Sequence, residues 1–187
     1  MKLTTKNIEE LIVLCKSGNQ QAQLEIYNRY YKAMYNTAFR IVKNSFEAED
    51  IMQEAFLSAF TMLDTLLEST TFGAWLKRIV VNKSIYNYTK NGKYQHVPVD
   101  AVLYKLEDES TSLSSDETAN SPKVKVILNA INGLKDTYRI ALTLHLIEGF
   151  DYEEIGQITN VSYANCRTTV SRAKEKLRQA LQPVMNY

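Results

Sequence analysis

Features that would mark an enzyme, a secreted protein or a membrane protein are scarce in this sequence. Its 187 residues include only 2 cysteines, 2 histidines, 3 prolines and 6 glycines. Cys15 and Cys166 are too few for a disulfide framework or a metal site, so we expect reduced thiols. His96 and His145 are isolated, and the sequence has no nucleophile–base pair or glycine-rich phosphate loop. These absences argue against an enzyme and against a bound metal or cofactor.

Long apolar runs are absent as well. Near the N-terminus, Glu9 and Glu10 interrupt the apolar run that a signal peptide would need. No segment reaches the roughly 20 apolar residues with which an α-helix crosses a bilayer. We therefore expect a cytoplasmic protein with no membrane insertion.

The net charge of +1 is low for a nucleic-acid-binding protein, but it averages over strongly patterned segments. Residues 44–71 hold six acidic and no basic residues, whereas residues 72–96 hold five basic and no acidic residues. Residues 98–121 carry a charge of −5 and residues 162–181 a charge of +4. Alternation on this scale predicts different partners for different segments.

Helical periodicity extends over most of the chain and predicts an all-α protein with two small domains. In the first domain, residues 1–92, the expected helices are 8–16, 20–42, 46–66 and about 72–90, which would form a four-helix bundle. Residues 93–121 are acidic and rich in Ser and Thr, as is typical of a flexible linker. In the second domain, residues 122–187, helices at 124–132 and 135–148 precede a helix-turn-helix.

The helix-turn-helix pattern lies at 152–181. Asn160 stands at the turn, where Asn tolerates left-handed backbone geometry, and Ser162 can cap the second helix. An inward stripe is expected at Cys166, Val170, Ala173 and Leu177. The outward face would then suit a DNA major groove. The residues expected to contact duplex DNA are Ser162, Tyr163, Asn165, Arg167, Thr168, Ser171, Arg172 and Lys174.

A second basic segment, 72–94, is interleaved with aromatic residues. Bases stack on aromatic rings and phosphates pair with cations, so this composition suits single-stranded nucleic acid. The alternative interpretation is a buried helix face made of Phe72, Trp75, Leu76, Ile79 and Val80. The candidate contact residues are Trp75, Asn82, Lys83, Tyr86 and Lys90.

The acidic segment 46–60 has a helical face that we expect to pack inward through Ile51, Ala55, Leu57 or Ser58, and Met62. Asp50, Gln53, Glu54 and Phe56 would then point partly outward. A metal or catalytic site is the alternative, but no His lies nearby in the sequence. An acidic face with an exposed aromatic residue is more typical of a protein interface.

Three blocks, in this order, resemble bacterial sigma factors of the extracytoplasmic-function group. EAEDIMQEAFLSAF at 47–60 is similar to the helix that binds the clamp of core RNA polymerase. FGAWLKRIVVNKSIYNYTK at 72–90 is similar to the segment that melts and reads the −10 element. The block at 134–177, which contains the helix-turn-helix, is similar to the region that reads the −35 element.

The resemblance implies partners and roles for the candidate residues. Asp50, Gln53, Glu54 and Phe56 would dock on core polymerase, and the loop from about residue 63 to 71 would help to hold an unstacked base of the melted non-template strand. The linker would either run towards the RNA exit path or be merely solvated. An anti-sigma factor is a further partner common in the family.

Two residues depart from the family pattern. Thr169 stands where another basic residue is frequent, and Cys166 stands where an aliphatic residue is usual. The preference for a particular −35 sequence therefore stays open. A stand-alone helix-turn-helix repressor or activator, with an N-terminal dimerisation or sensor bundle, is the rival interpretation, and it predicts tight duplex binding without polymerase.

Overall fold

A computed structural model describes residues 3–92 and 121–185 of the chain. The chain divides into two compact units, Met1–Lys90 and Asn91–Tyr187. Within the described ranges every regular element is helical, as predicted. The predicted linker at 93–121 lies outside the described residues except for its last position.

The first unit contains α1 (Ile8–Lys16), α2 (Gln20–Val42), α3 (Ser45–Thr61) and α4 (Phe72–Lys90). Three of these helices begin at an asparagine cap: the side-chain oxygens of Asn7, Asn19 and Asn44 accept hydrogen bonds from backbone N–H groups of the first turn. Such caps satisfy N–H groups that have no partner within the helix. They fix where α1, α2 and α3 start.

The third helix ends earlier than the sequence pattern predicts, at Thr61 rather than at residue 66. Two 3-10 turns, Leu63–Thr65 and Ser69–Thr71, follow it. The Thr65 hydroxyl donates to the carbonyl oxygen of Met62 at 2.8 Å. This local side-chain bond competes with helical backbone bonding and favours a turn over a further helical turn.

In the core of the first unit, α2 packs against both α3 and α4. Small residues on α3 allow α2 to approach closely, and large aliphatic and aromatic residues fill the space around them. Fully buried side chains include Leu11, Ile26, Ile41, Ala48, Ala55, Ala59, Phe72, Leu76 and Val80. Cys15 is buried among these helices, and burial raises the pKa of its thiol to about 11. It stays a neutral, apolar part of the core.

The second unit contains α5 (Pro122–Asn132), α6 (Asp136–Leu142), α7 (Tyr152–Thr159) and α8 (Tyr163–Met185). Between α6 and α7, residues Thr143–Ile147 form a π-helical turn that continues α6, so the single helix predicted there changes its hydrogen-bonding pattern midway. The buried core combines Ile131, Ile140, Leu142, Leu144, Ile155 and the inward stripe of α8.

No helix within residues 3–92 and 121–185 combines the length and the apolar character required to cross a bilayer.

Candidate nucleic-acid interface

The turn between α7 and α8 is closed by short contacts. Asp151 caps α7 and forms a capping box with Glu154, with bonds of 2.8 and 3.0 Å between each side chain and the other residue's backbone N–H. Asn160 ends the helix with φ of 57°, in the left-handed region predicted for it. A Cβ added at Gly156 would lie 2.8 Å from the carbonyl oxygen of Val161. The turn therefore packs directly against the α7 backbone.

The inward stripe of α8 is confirmed. Cys166, Val170, Ala173 and Leu177 are all buried. The Ser162 hydroxyl accepts the backbone N–H of Asn165 at 3.3 Å, as predicted for a cap. Burial, and to a lesser degree the negative charge of Asp151, raises the pKa of Cys166, so its thiol stays neutral inside the unit.

The residues predicted to contact duplex DNA lie on the opposite side of α8. Seven of the eight are exposed and Lys174 is half-buried. A shallow groove is lined by Tyr163, Ala164, Arg167, Thr168, Ser171 and Arg172. The structure therefore brings five of the eight predicted residues to one concave surface on a single helix. Their hydrogen-bonding groups and methyl groups match those that the DNA major groove offers.

The basic side chains of α8 differ in what surrounds them. Arg178 is paired with Glu175 at 2.6 Å, and the amine of Lys176 donates to Gln179 at 3.3 Å. Within the described part of the chain, no carboxylate lies within 4.0 Å of Arg167 or Arg172. The two arginines that line the groove are therefore available to a phosphate or a guanine edge.

On α3, the prediction for Phe56 is wrong. Its side chain is 2 % exposed and packs against Tyr27, with ring centroids 4.8 Å apart. We expected either Leu57 or Ser58 to face inward; Leu57 is 68 % exposed and Ser58 is half-buried. Phe56 follows Met52 by four residues and precedes Ala59 by three, and both of these are buried, so Phe56 belongs to the stripe that faces the core.

The exposed face of α3 is therefore acidic, with the aliphatic side chain of Leu57 exposed towards its C-terminal end and the aromatic side chain of Phe46, 79 % exposed, at its N-terminal end. Asp50, Gln53 and Glu54 are exposed, as predicted. Leu57 follows them by seven, four and three residues, which places it on the same helical face. Met62, also predicted to pack inward, is 40 % exposed. The helical spacing of Leu57 from the acidic residues is the sequence signal that could have identified it.

On α4, the predicted contact residues form one lengthwise stripe. Trp75, Asn82, Tyr86 and Lys90 follow one another at seven, four and four residues and so share a helical face, which Lys83 borders three residues before Tyr86. Tyr86 is 68 % exposed, and Asn82 and Lys90 are exposed too. Trp75 is half-buried, with its ring centroid 5.9 Å from that of Phe72. The stripe thus runs from a partly buried aromatic end to an exposed basic end.

One ion pair joins the α3 face to the α4 stripe. The amine of Lys83 lies 3.7 Å from a carboxylate oxygen of Glu54. A predicted DNA contact and a predicted polymerase contact are therefore neighbours in the folded unit. Neither residue's position in the sequence indicates this pairing, because it depends on how α3 and α4 cross.

The loop between α3 and α4 is braced by the first helix. Lys16 on α1 lies 3.7 Å from Asp64, and Leu67 at the tip of the loop is 98 % exposed. A cleft between helix and loop is lined by Glu9, Glu10, Val13, Glu68, Ser69 and Thr70. No pattern in the sequence predicts that α1 lies beside this loop.

Among the described residues, no group of His, Cys, Asp and Glu side chains is arranged to hold a metal ion.

The chain is similar to known proteins in two blocks. Residues 26–94 match the family described as Sigma-70 region 2, and residues 125–177 match Sigma-70, region 4. The extracytoplasmic-function RNA polymerase sigma factor SigW of Bacillus subtilis is 30 % identical, over 94 % of this chain and 97 % of the relative.

Two solved structures share the fold. The structure of CnrH in complex with the cytosolic domain of CnrY aligns over 94 % of this chain and 97 % of that one, with a TM-score of 0.54 and 21 % identity. The sigma factor RpoE of Bartonella quintana, solved in complex with the anti-sigma factor NepR, aligns over 84 % of this chain and 95 % of its own, with a TM-score of 0.53 and 21 % identity.

Proposed function

The chain belongs to the extracytoplasmic-function RNA polymerase sigma factors, and from that premise we propose that it recognises a promoter at two separate points. Members of this family direct promoter-specific initiation of transcription and are not enzymes. In the proposal, residues 122–187 bind the −35 element as duplex DNA. Residues 1–92 bind core RNA polymerase and the melted non-template strand of the −10 element, and residues 93–121 link the two.

The outward surface of α8 is the observation that carries the proposal. Arg167 and Arg172 line a groove beside Thr168, with no carboxylate of the described residues to neutralise them. A guanidinium group binds guanine edges in the major groove with two hydrogen bonds. Asn165 offers an amide group that can form two hydrogen bonds with adenine. Lys174 lies nine residues further along α8, where its amine can pair with a phosphate.

The second point of recognition is the stripe on α4. Tyr86 presents an exposed ring with Lys83 and Lys90 on either side along the helix. An unstacked base can lie on such a ring while its phosphates pair with the lysines. Extruding a base costs a few kcal/mol, which these contacts and the braced loop at residues 63–71 would offset.

Core polymerase is the proposed partner of the α3 face. Asp50, Gln53 and Glu54 lie on the N-terminal side of Leu57 on the same helical face, so an exposed aliphatic side chain borders polar and acidic groups. Interfaces between proteins commonly have an apolar centre with a polar rim. Leu57 takes the place that the sequence pattern had assigned to Phe56.

An anti-sigma factor is a further proposed partner. The RpoE protein of Bartonella quintana shares the fold of this chain and was solved with such a factor bound. A protein that covers either the α3 face or the α8 groove would prevent initiation without altering the fold.

Run-off transcription tests the proposal. Core polymerase is incubated with the full-length protein and a library of upstream fragments, with core polymerase alone as the control. We expect transcripts from a subset of fragments that share two short elements, and only when the protein is present. No protein-dependent transcript from any fragment, together with no co-purification with polymerase, would contradict the proposal.

Duplex binding by the same protein, measured with and without polymerase, distinguishes the proposal from the rival interpretation. A stand-alone repressor or activator would bind its duplex site tightly in the absence of polymerase. The proposal instead expects weak duplex binding by the free protein and selective binding once core polymerase is added. Duplex affinity that is equal with and without polymerase would favour the rival.

A further inference from the structure

Three aromatic side chains from different parts of the second unit lie in a row that ends at the DNA-binding groove. His145 stacks on Tyr152, with ring centroids 4.8 Å apart and planes 24° apart. Tyr152 in turn meets Tyr163, with centroids 6.0 Å apart and planes 77° apart. Such near-parallel and edge-on arrangements are the favourable ones for aromatic pairs. We call these three residues the aromatic row.

The two members of the row that lie away from the groove, His145 and Tyr152, are held in place by the backbone around them. The Nδ1–H of His145 donates to the carbonyl oxygen of Phe150 at 3.1 Å, since a carbonyl can only accept. Gly149, with φ of 83°, reverses the chain so that Phe150 returns to the π-helical turn that holds His145. Tyr152 is the first residue of α7, directly after its Asp151 cap.

The outer member of the row lines the groove. Tyr163 is the first residue of α8 and is 55 % exposed. It shares the groove with Ala164 and Thr168, whose side chains carry methyl groups. The Thr168 hydroxyl donates to the carbonyl oxygen of Ala164 at 2.9 Å, so its hydrogen is already used within the helix. Tyr163, Ala164 and Thr168 thus form an apolar spot on the surface that Arg167 and Arg172 also line.

We propose that Tyr163 recognises a thymine of the −35 duplex through the 5-methyl group, and that His145 and Tyr152 are positioning residues that hold its ring in place. This inference rests on the proposed function. The thymine methyl is the one apolar group that base pairs present in the major groove, and it matches the apolar spot. The row limits the orientations of a side chain that would otherwise rotate freely at the start of a helix.

Removing a single methyl group from the DNA tests the contact. The probe is the −35 duplex of a fragment transcribed by the holoenzyme, with each thymine replaced in turn by deoxyuridine. We expect affinity for the wild-type holoenzyme to fall about fourfold at one thymine, as for one buried methyl group. Replacement of a cytosine by 5-methylcytosine elsewhere in the element is the control for added methyl groups.

Variants of Tyr163 identify the residue responsible. Tyr163→Ala should abolish the difference between thymine and uracil at that position, while Tyr163→Phe should retain it. Arg172→Ala is the matched control, because it should weaken binding yet leave the thymine–uracil difference in place. If Tyr163→Ala keeps the difference, or if Tyr163→Phe loses it, the ring does not read the methyl group and the inference is overturned.

The positioning role has its own readout. Tyr152→Leu and His145→Leu should reduce the thymine–uracil difference to less than twofold, and Tyr152→Phe should restore it. Circular dichroism on the same variants reports whether the helices are intact, and a helical variant that keeps the full difference would exclude positioning.

Failure of the inference differs from failure of the proposed function. A holoenzyme that binds no upstream fragment contradicts the proposed function. A holoenzyme that binds selectively, but to elements without a methyl-sensitive thymine, contradicts only the role of Tyr163.

Discussion

The two helices that carry the proposed DNA contacts, α4 and α8, divide their side chains between core and surface in different ways. On α8 the buried residues form one narrow stripe of four, Cys166, Val170, Ala173 and Leu177, and the groove lies on the other side of the helix. On α4 the buried residues extend over a broad face, because α2 and α3 both pack against it. Trp75 belongs partly to that core and partly to the stripe.

This difference teaches how each site can be altered. A helix that contacts its unit along one narrow stripe presents side chains that can be replaced without loss of packing. A helix that is buried over a broad face presents contact residues that also support the core, so binding and stability change together. The predictions below use that contrast.

The largest expected effect is loss of the second unit through Gly156→Val. The added side chain would meet the carbonyl oxygen of Val161, and we expect destabilisation of about 3 kcal/mol, at the upper end for overpacked sites. Hydrogen exchange should show faster exchange throughout α5–α8 and unchanged exchange in α1–α4. Gln157→Val, at the exposed neighbouring position, is the control, and equal stability of the two variants would contradict the account of the turn.

Next in size is the effect of Arg172→Ala on duplex binding. Losing a guanidinium–guanine contact should cost about 1–3 kcal/mol at one base pair of the −35 element, with no change in thermal stability, since the side chain is exposed. Arg178→Ala is the control: that arginine is already paired with Glu175 and should affect all sequences weakly and alike. Affinities of the holoenzyme for single-base variants measure both. If both variants lose the same affinity, and lose it equally for every single-base variant of the element, then Arg172 and Arg178 do not differ in their role.

A smaller effect is expected from Tyr86→Ala on the −10 strand. Loss of one stacked base should cost about 1–2 kcal/mol in affinity for a single-stranded −10 oligonucleotide. Thermal stability should not change, because the ring is 68 % exposed. Trp75→Ala should lower both affinity and melting temperature, since its ring also packs against Phe72. If both variants leave stability unchanged, α4 and α8 do not differ in the way described.

The smallest expected effect concerns the ion pair between Lys83 and Glu54. Glu54→Gln should release Lys83 and strengthen binding of the −10 oligonucleotide to the free protein by about 0.2–1 kcal/mol, the range for exposed pairs. Lys83→Met in the same chain should cancel the gain. Glu49→Gln removes the same charge from the exposed side of α3 and is the control. If Glu49→Gln raises the affinity for the oligonucleotide by the same amount, the effect comes from the change in net charge and not from release of Lys83.

Much of α8 could be predicted from sequence because its burial follows a single period. Asn160 also marks the left-handed residue of the turn, and Ser162 marks the cap. On α3 the apolar residues are not confined to one helical face, since Phe56 and Leu57 are adjacent in the sequence. Periodicity alone did not show which of the two α2 would cover. The orientation of α3 depends on small residues such as Ala55, through which it approaches α2 closely.

Contacts between helices could not be predicted at all. Two examples are the ion pair of Lys83 with Glu54 and the aromatic row of His145, Tyr152 and Tyr163. Both depend on how the helices cross, and the pattern of residues within one helix contains no information about that. The π-helical turn at Thr143–Ile147 likewise gives no periodic signal, because it changes the hydrogen-bonding register within an otherwise ordinary apolar segment.

The central claim is that α8 recognises duplex DNA while α4 recognises a melted strand. Holoenzymes carrying Arg172→Ala or Tyr86→Ala are each titrated with a −35 duplex and with a single-stranded −10 oligonucleotide. We predict that Arg172→Ala weakens only duplex binding and Tyr86→Ala only single-strand binding, each by about tenfold or more for a lost contact near 1.4 kcal/mol. Equal losses on both DNAs in both variants would contradict the claim.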